Sequence, residues 1–260
     1  MEKLYKYLNM PLKRGLLGIE VEVEGENLPE GAIAGWCKHA DGSLRGESAE
    51  YVFAQPLGLF KAKQALDVLR LSLKESRIEW SFRTSVHVHM NVQTFTCPTL
   101  KSFIYSYLLV EDLLMEYCGE ERKNNRFCLR MRDAEALLHP ITDMMERPYF
   151  HFPRIDMFRY AALNLDAICK FGSLEFRGMR GTLDKTTLEV WITALTRLRA
   201  YAVRMSTFQE VASHFERTPN NEWLNEVFGK AVSSHLTKNV ADVDGLLSRN
   251  YSLTASLLIE

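Results

Sequence analysis

Three segments of the chain alternate apolar residues with residues of the kinds that bind metals or phosphate. They are residues 19–24, 83–93 and 173–180. In a β-strand such alternation puts the polar side chains on one face and the apolar side chains on the other. Like charges two residues apart on a strand lie about 7 Å from each other and repel, and a bound cation would relieve that repulsion. The pattern predicts a metal and phosphate site laid across a sheet.

The polar positions of these segments are rich in carboxylates, imidazoles and guanidinium groups. They are Glu20, Glu22 and Glu24 in the first segment, Arg83, Ser85, His87, His89, Asn91 and Gln93 in the second, and Glu175 and Arg177 in the third. An antiparallel sheet often has one solvated face, and alternation alone can mean only that. The residue types here differ from the Lys, Thr and Gln mixture of an ordinary solvated face, which favours a site.

Composition narrows the class of protein. The 260 residues, with 47% hydrophobic and 25% charged, are those of a globular protein that can bury a substantial core. A net charge of −1 does not indicate nucleic acid or anionic membrane as a partner. The charged N-terminal 15 residues lack the apolar region of a signal peptide, and no apolar run approaches the ~20 residues of a membrane span. Five cysteines without a C-x-x-C pair fit a reducing compartment, so we expect a cytoplasmic protein.

The elements that must position these side chains follow from periodicity and turn residues. Apolar residues at helical spacing predict helices at 57–76, 100–117, 134–138 and 185–205, and short helices beyond residue 206. Further strands are predicted at 49–53 and 161–168. Strands separated by helical insertions of unequal length predict an α+β fold with a mainly antiparallel sheet. We see no linker, so one domain is expected, with a core at about 15–205 and a helical C-terminal extension at 206–260.

The order of the motifs resembles a known family. In chain order they are Gly18-Ile-Glu-Val-Glu-Val-Glu24, Asp41-Gly-Ser-Leu44 followed by Glu47 and Glu50, His87-Val-His89 with Asn91, Arg159 with Asn164, and Glu175-Phe-Arg177 with Gly181-Thr-Leu-Asp184. Together they resemble the amidoligases, carboxylate–amine ligases related to glutamine synthetase and glutamate–cysteine ligase. Each motif alone is weak, and their order carries the resemblance, which runs from about residue 15 to residue 184. The compact length is similar to that of phage-encoded members.

The resemblance implies a fold and a reaction. It implies a glutamine-synthetase-like sheet that forms a funnel, with helices packed outside, holding ATP and Mg²⁺. ATP would phosphorylate a carboxylate of a small molecule or peptide, and an amine would displace phosphate to give an amide. Mg²⁺ prefers carboxylate oxygens and bridges phosphates, which suits these residues. The alternatives are a phosphotransferase on the same fold and a non-catalytic nucleotide-binding relative.

The resemblance also implies metal ligands. Glu20 and Glu22 match the paired carboxylates of the family, Glu50 matches the glutamate after the Asp-Gly-Ser turn, and Glu175 and His89 complete the set. Three further acidic residues stay open: Glu24 as a ligand or a solvated strand end, Glu47 as a ligand or a surface residue, and Asp41 as a ligand or a turn-former.

Nucleotide and substrate contacts are implied for the remaining polar residues. His87, His89, Asn91 and Arg177 would bind the cofactor, and Arg177 would also contact the transferred phosphoryl group. Arg180 and Arg159 would bind the substrate carboxylate or the phosphates, although a surface salt bridge explains either. Asn164 would orient the acceptor carboxylate or satisfy a sheet edge. The basic run at 120–132 would be a solvated helix face or would hold an acidic acceptor.

Overall fold

The computed structural model describes residues 1–152 and 156–256. The strands in these residues are β1 (Leu17–Glu26), β2 (Trp36–His39), β3 (Ser48–Phe53), β4 (Arg77–Glu79), β5 (Ser85–Asn91), β6 (Leu163–Asn164) and β7 (Ser173–Arg180). The α-helices are α1 (Leu4–Tyr7), α2 (Leu59–Ser72), α3 (Cys97–Cys118), α4 (Glu135–Glu146), α5 (Asp166–Phe171), α6 (Lys185–Arg204), α7 (Phe208–Arg217), α8 (Asn220–Phe228), α9 (Lys230–Thr237) and α10 (Val243–Ser256). Short 3₁₀ turns lie at Glu120–Arg122, Met131–Asp133 and Asp156–Tyr160.

The strands form one open sheet in the described part of the chain. Its order is β2-β3-β1-β5-β7-β6, and β4 pairs with the end of β1 that extends past β5. All of the paired strands are antiparallel. The predicted α+β fold with an antiparallel sheet is therefore confirmed, whereas the glutamine-synthetase-like funnel stays a prediction.

The apolar face of the sheet packs against helices. In β1 and β5 the alternate residues Ile19, Val21, Val86 and Val88 are fully buried. Phe176 of β7 contacts rings on α3 and α6, which cover this face. α3 is buried on almost every side, because α6, α7, α9 and α10 also pack around it. The helix layer leaves the opposite, polar face of β1, β5 and β7 free to carry a site. We call β1, β5 and β7 the three central strands.

Most predicted elements are confirmed, with different bounds. The predicted strands at 19–24, 49–53, 83–93 and 173–179 correspond to β1, β3, β5 and β7, and the long helices correspond to α2, α3 and α6. The predicted helix at 134–138 continues to residue 146 as α4.

One prediction is wrong. Residues 161–168 do not form a strand, because β6 has only two residues and α5 begins at Asp166. The side chain of Asn164 accepts a hydrogen bond from the Asp166 amide at 3.0 Å, which turns the chain out of the sheet. Gly172, in the left-handed region at φ 68°, ends the helix and returns the chain to β7.

None of the helices within the described ranges combines the length and the apolar character needed to cross a membrane.

Candidate functional site

The polar face of the three central strands brings together three of the predicted metal ligands. His89 of β5 lies opposite Glu175 of β7, and Glu20 lies on the adjacent strand β1. One donor atom from each of the three lies within 4.8 Å of the other two. Residues separated by most of the chain thus form a compact set of two carboxylates and one imidazole. We call it the first acidic group; its role as a ligand set stays a prediction.

A second acidic group lies farther along β1. It consists of Glu22, Glu50 and Asp41, whose carboxylate oxygens also lie within 4.8 Å of one another. Glu22 and Glu50 are direct partners in the pairing of β1 with β3. Asp41 reaches them from the turn after β2, where its Oδ1 also accepts a hydrogen bond from the Ser43 amide at 2.6 Å. Asp41 is therefore both the turn-former and a neighbour of two predicted ligands.

His87 connects the two groups. Its side chain is almost completely buried, and Nδ1 lies 3.3 Å from Glu20 Oε2 and 3.6 Å from Glu175 Oε1. Its Nε2 lies 2.7 Å from Ser85 Oγ, and Ser85 donates to Glu22 Oε2 at 2.5 Å. A continuous hydrogen-bonded chain therefore runs from one acidic group to the other.

Neighbouring side chains fix the orientation of the first acidic group. Ser173 Oγ lies 3.1 Å from His89 Nδ1, while His89 Nε2 lies 3.1 Å from Glu20 Oε1. Asn164 donates to Glu175 Oε2 at 2.6 Å, and Arg177 donates to Glu175 Oε1. Such outer contacts hold metal ligands in a fixed direction. The structure thus uses Asn164 to orient Glu175, whereas its predicted contact with an acceptor stays a prediction.

The first acidic group is electrostatically balanced by its basic neighbours. Burial would raise the pKa of Glu20, but hydrogen bonds from His87 and His89 outweigh burial and hold that pKa well below its usual range. Burial likewise opposes ionisation of Glu175, but His87 and Arg177 lower its pKa. Burial would lower the pKa of His89, yet its hydrogen bond to Glu20 raises it.

The second acidic group lacks this balance. Burial, followed by the charges of Glu20, Glu22 and Asp41, raises the pKa of Glu50 to about 7. A carboxylate held close to other carboxylates in this way would gain from a divalent cation, which would remove the repulsion. The second acidic group is therefore the less balanced of the two, and its role as a metal site stays a prediction.

A cavity of about 290 Å³ opens beside the first acidic group. Glu20 and His89 border it, Phe171 supplies an aromatic wall, and Lys13 extends over the Phe171 ring with Nζ 5.9 Å from its centre. Gly18 lines the cavity at a position of β1 where the polar pattern would put another side chain. The absence of a side chain there leaves the space beside His89 open.

Three predicted site residues have other neighbours in the structure. Arg180 donates to the carbonyls of Tyr117 and Cys118 at the end of α3, at 3.1 and 3.2 Å. Arg159 is exposed and contacts the ring and the hydroxyl of Tyr160. Asn91 lines the cavity, but its amide donates to the carbonyls of Lys13 and Gly15. The structure gives none of the three a contact with either acidic group in its described part, and their predicted roles stay predictions.

The two remaining acidic residues hold loops. Glu24 Oε1 accepts from the Arg45 amide at 2.8 Å, and Glu47 Oε1 accepts from the Leu28 amide at 3.0 Å. Neither belongs to the groups of possible ligands found in the described residues.

Sequence reasoning gave no role to four residues that shape the site. Ser85 is expected on the polar face of its strand, Ser173 is uncharged, and Phe171 precedes the polar motif of β7. The fourth, Arg122, lies in a basic run that looks solvated in sequence but is almost completely buried. Gly18 was the available signal for the cavity, because it interrupts the row of polar side chains on β1.

Comparison with known families agrees with the motif order. A family model described as "Putative amidoligase enzyme" matches residues 58–198, which is more than half of the chain. The matched range includes β5 and β7, and so His87, His89, Glu175 and Arg177, but begins after β1 and β3. A comparison with curated proteins gave no match.

Proposed function

Because the chain belongs to the amidoligase family, we propose that it is an ATP- and Mg²⁺-dependent ligase that joins a carboxylate to an amine. The family supports a ligase, and the ATP, the metal and the intermediate are our inference. The observation that carries it is the pair of acidic groups on one sheet face, linked by His87 and bordered by Arg177.

The donor set fits Mg²⁺. Glu20, His89 and Glu175 would hold one ion, and Glu22, Glu50 and Asp41 would hold a second. Mostly carboxylate oxygens suit a hard cation better than zinc, which prefers more His or Cys. When bound, Mg²⁺ neutralises phosphate charge and lets a triphosphate approach a negatively charged carboxylate.

The residues of the chain would then position the reactants. Arg177, held by Glu175, presents a guanidinium group to the phosphoryl group as it moves from ATP to the acceptor carboxylate oxygen and ADP leaves. The acyl phosphate would next be attacked at carbon by the amine, which loses a proton as phosphate departs. Stabilising charge in this way is the main contribution a protein makes to phosphoryl transfer.

The cavity beside His89 is the place that we propose for the base of the nucleotide. Its aromatic wall, Phe171, offers a ring face, and Lys13 at its edge adds a positive charge. Ring stacking and cation–π contacts favour flat aromatic ligands. Since the cavity borders Glu20 and His89, a base bound there would leave the phosphates near the first acidic group.

Calorimetry with ATP tests the nucleotide site. We expect ATP to bind with excess Mg²⁺ and to bind far more weakly with EDTA, because the acidic groups would repel an unshielded triphosphate. Equal affinity under both conditions would contradict the site.

Trapping with hydroxylamine tests the reaction. A carboxylate that is activated as an acyl phosphate reacts with hydroxylamine to give a hydroxamate and phosphate, so incubation with Mg·ATP and mixed amino acids or peptides should give hydroxamate together with ADP. A stable phosphorylated product without hydroxamate would favour the phosphotransferase. Mg·ATP binding without either product would favour the non-catalytic nucleotide-binding relative, and absence of Mg·ATP binding would contradict a nucleotide site.

A further inference from the structure

Strand β7 contains a bulge at the residue that we propose to contact phosphate. Val86 pairs with Met179 and Val88 pairs with Phe176, so Arg177 and Gly178 together face the single residue His87. Bulges redirect side chains and leave backbone groups without their ladder partners. The direction of Arg177 therefore depends on how this irregular backbone is held.

The buried guanidinium group of Arg122 binds the backbone of both bulge residues. Its Nη2 donates to the Arg177 carbonyl at 2.8 Å, and its Nε donates to the Gly178 carbonyl at 3.1 Å. The side chain is only 1% exposed. Arg122 thus supplies the donors for two adjacent carbonyls of the bulge.

The same guanidinium group reaches the loop before β5. Its Nη1 donates to the Phe82 carbonyl at 3.3 Å, and Asn125 donates to the same oxygen at 2.9 Å. The next residue, Arg83, donates from Nη1 to the carbonyl of Ser43 at 3.0 Å, in the turn that carries Asp41. Arg122 is therefore connected to the segments that position both acidic groups.

The charge of Arg122 is unusual for its surroundings. Its guanidinium group donates to three carbonyl oxygens, and in the part of the chain that the structure describes it forms no ion pair with a carboxylate. A buried cation without a counter-ion is costly, and an apolar side chain could fill a purely structural position at lower cost. The fork of three donors, which only arginine offers in this geometry, is what the position uses.

We propose that Arg122 is a positioning residue that fixes the β7 bulge and so aims Arg177 into the site. This inference rests on the proposed function for the role of Arg177, but not for the contacts themselves. Arg122 does not touch the reactants, and its effect on turnover passes through Arg177.

The first experiment compares Arg122→Lys with Lys101→Met. Lys101 is a second buried cation that binds two carbonyls, those of Met145 and Arg147, so its variant controls for the loss of buried cation–carbonyl contacts elsewhere in the fold. We expect Arg122→Lys to lower ADP release about tenfold to a hundredfold, the range for misplacing a reacting group by a fraction of an ångström to 1 Å. The Kd of Mg·ATP should stay within about twofold of wild type. We expect Lys101→Met to change neither quantity. Unchanged turnover in a folded Arg122→Lys variant would overturn the proposal.

A double-mutant cycle separates positioning from general damage. In an Arg177→Ala background, Arg122→Lys should cause no further loss of turnover, because the group that it positions is already absent. If Arg122→Lys lowers turnover by the same factor in the Arg177→Ala background as in the wild type, Arg122 acts independently of Arg177 and the proposal is overturned.

Crystal structures test the contacts even if the protein does not use ATP. In Arg122→Lys we expect the guanidinium group of Arg177 to leave Glu175 or the pairing of β5 with β7 to change. An unchanged bulge and an unchanged Arg177 would overturn the proposal, whereas a wild type that neither binds Mg·ATP nor releases ADP would overturn the proposed function alone. If Arg122→Lys does not fold, Arg122→Gln replaces it. Failure of both to fold, while Lys101→Met folds, would assign Arg122 to the core and contradict a positioning role.

Discussion

At the scale of single residues, hydrogen bonds join the acidic side chains of the site to histidine and serine side chains. The imidazole groups of His87 and His89 separate Glu20 from Glu175, and the hydroxyl group of Ser85 binds Glu22. In the described part of the chain, no histidine or serine side chain forms a hydrogen bond with Glu50. Burial and the nearby carboxylates raise its pKa. The two acidic groups should therefore respond differently to loss of a charge.

Glu50→Gln and Glu175→Gln should change metal-free stability in opposite directions. At pH 8, above the pKa of about 7 for Glu50, the ionised side chain repels its neighbours, so Glu50→Gln should raise the melting temperature in EDTA. A gain of about 1 kcal/mol corresponds to about 2–4 °C. The gain should vanish at pH 5, where Glu50 is protonated. Glu175→Gln should lower the melting temperature, because Arg177 and Asn164 lose their carboxylate acceptor.

Both variants should lose most of the stabilisation that Mg²⁺ gives the wild type. Thermal melts in EDTA and in excess Mg²⁺ measure this difference directly. If Glu50→Gln keeps the full Mg²⁺ response, the second acidic group is not a metal site.

Arg177→Ala should separate binding from chemistry. ATP should still bind, with affinity reduced a few-fold, while turnover falls about a hundredfold or more, since the lost group acts on charge that develops in the transition state. Arg177→Lys should restore little, because an ammonium group cannot replace the guanidinium fork. Calorimetry and ADP release measure the two quantities. If Arg177→Ala lowers ATP affinity and turnover by the same factor, Arg177 forms a structural salt bridge with Glu175 instead.

At the scale of elements, the bulge in β7 also depends on a glycine. A Cβ atom on Gly178 would lie 2.7 Å from Met115 Sδ and 3.2 Å from Cys118 Sγ on α3. Gly178→Ala should destabilise the protein by about 1–3 kcal/mol, as overpacking of a core does. Met115→Ala in the same chain should recover part of the loss by making room. Denaturant unfolding tests both, and additive losses in the double variant would argue against this contact.

The elements also show how far the sequence could predict the site. Residues of one strand face could be assigned from alternation alone, which is why Glu20, Glu22, His87, His89 and Glu175 were found together on one face. Contacts that use the backbone leave no such pattern. The three carbonyl contacts of Arg122 arise only when the chain folds, and Asn164 ends β6 through a local turn that competes with the strand.

At the scale of the whole molecule, the buried helix α3 carries a carboxyl group within the core. Burial raises the pKa of Glu111 to about 8, although Oε2 accepts a hydrogen bond from the Met131 amide at 2.8 Å. Between the unfolded value of 4.5 and about 8, the folded state holds a proton that the unfolded state has lost. This group therefore stabilises the fold at low pH and loses that contribution as the pH rises through this window.

Glu111→Gln should flatten this part of the stability curve. The amide keeps an oxygen for Met131 and carries no charge at any pH, so the fall of up to about 1.4 kcal/mol per pH unit from this group should disappear. Urea unfolding in EDTA between pH 5 and pH 9 gives the two curves, and their difference isolates Glu111 from Glu50. If the free energies of unfolding of the wild type and of Glu111→Gln depend on pH in the same way, burial does not raise the pKa of Glu111.

The order of the strands makes the completion of the site a late event in the life of the chain. The contact of His89 with Glu20 joins residues 69 positions apart, and its contact with Ser173 spans 84 positions. Pairings of such long range are slow to form, because a large loop must close before any contact is gained. A ribosome that adds about 5–20 residues per second would expose the acidic strand β1 several seconds before its partner β5, and β7 would follow later still. β1 would carry its row of carboxylates without His89 until β5 emerges, and the site would lack Arg177 until β7 emerges.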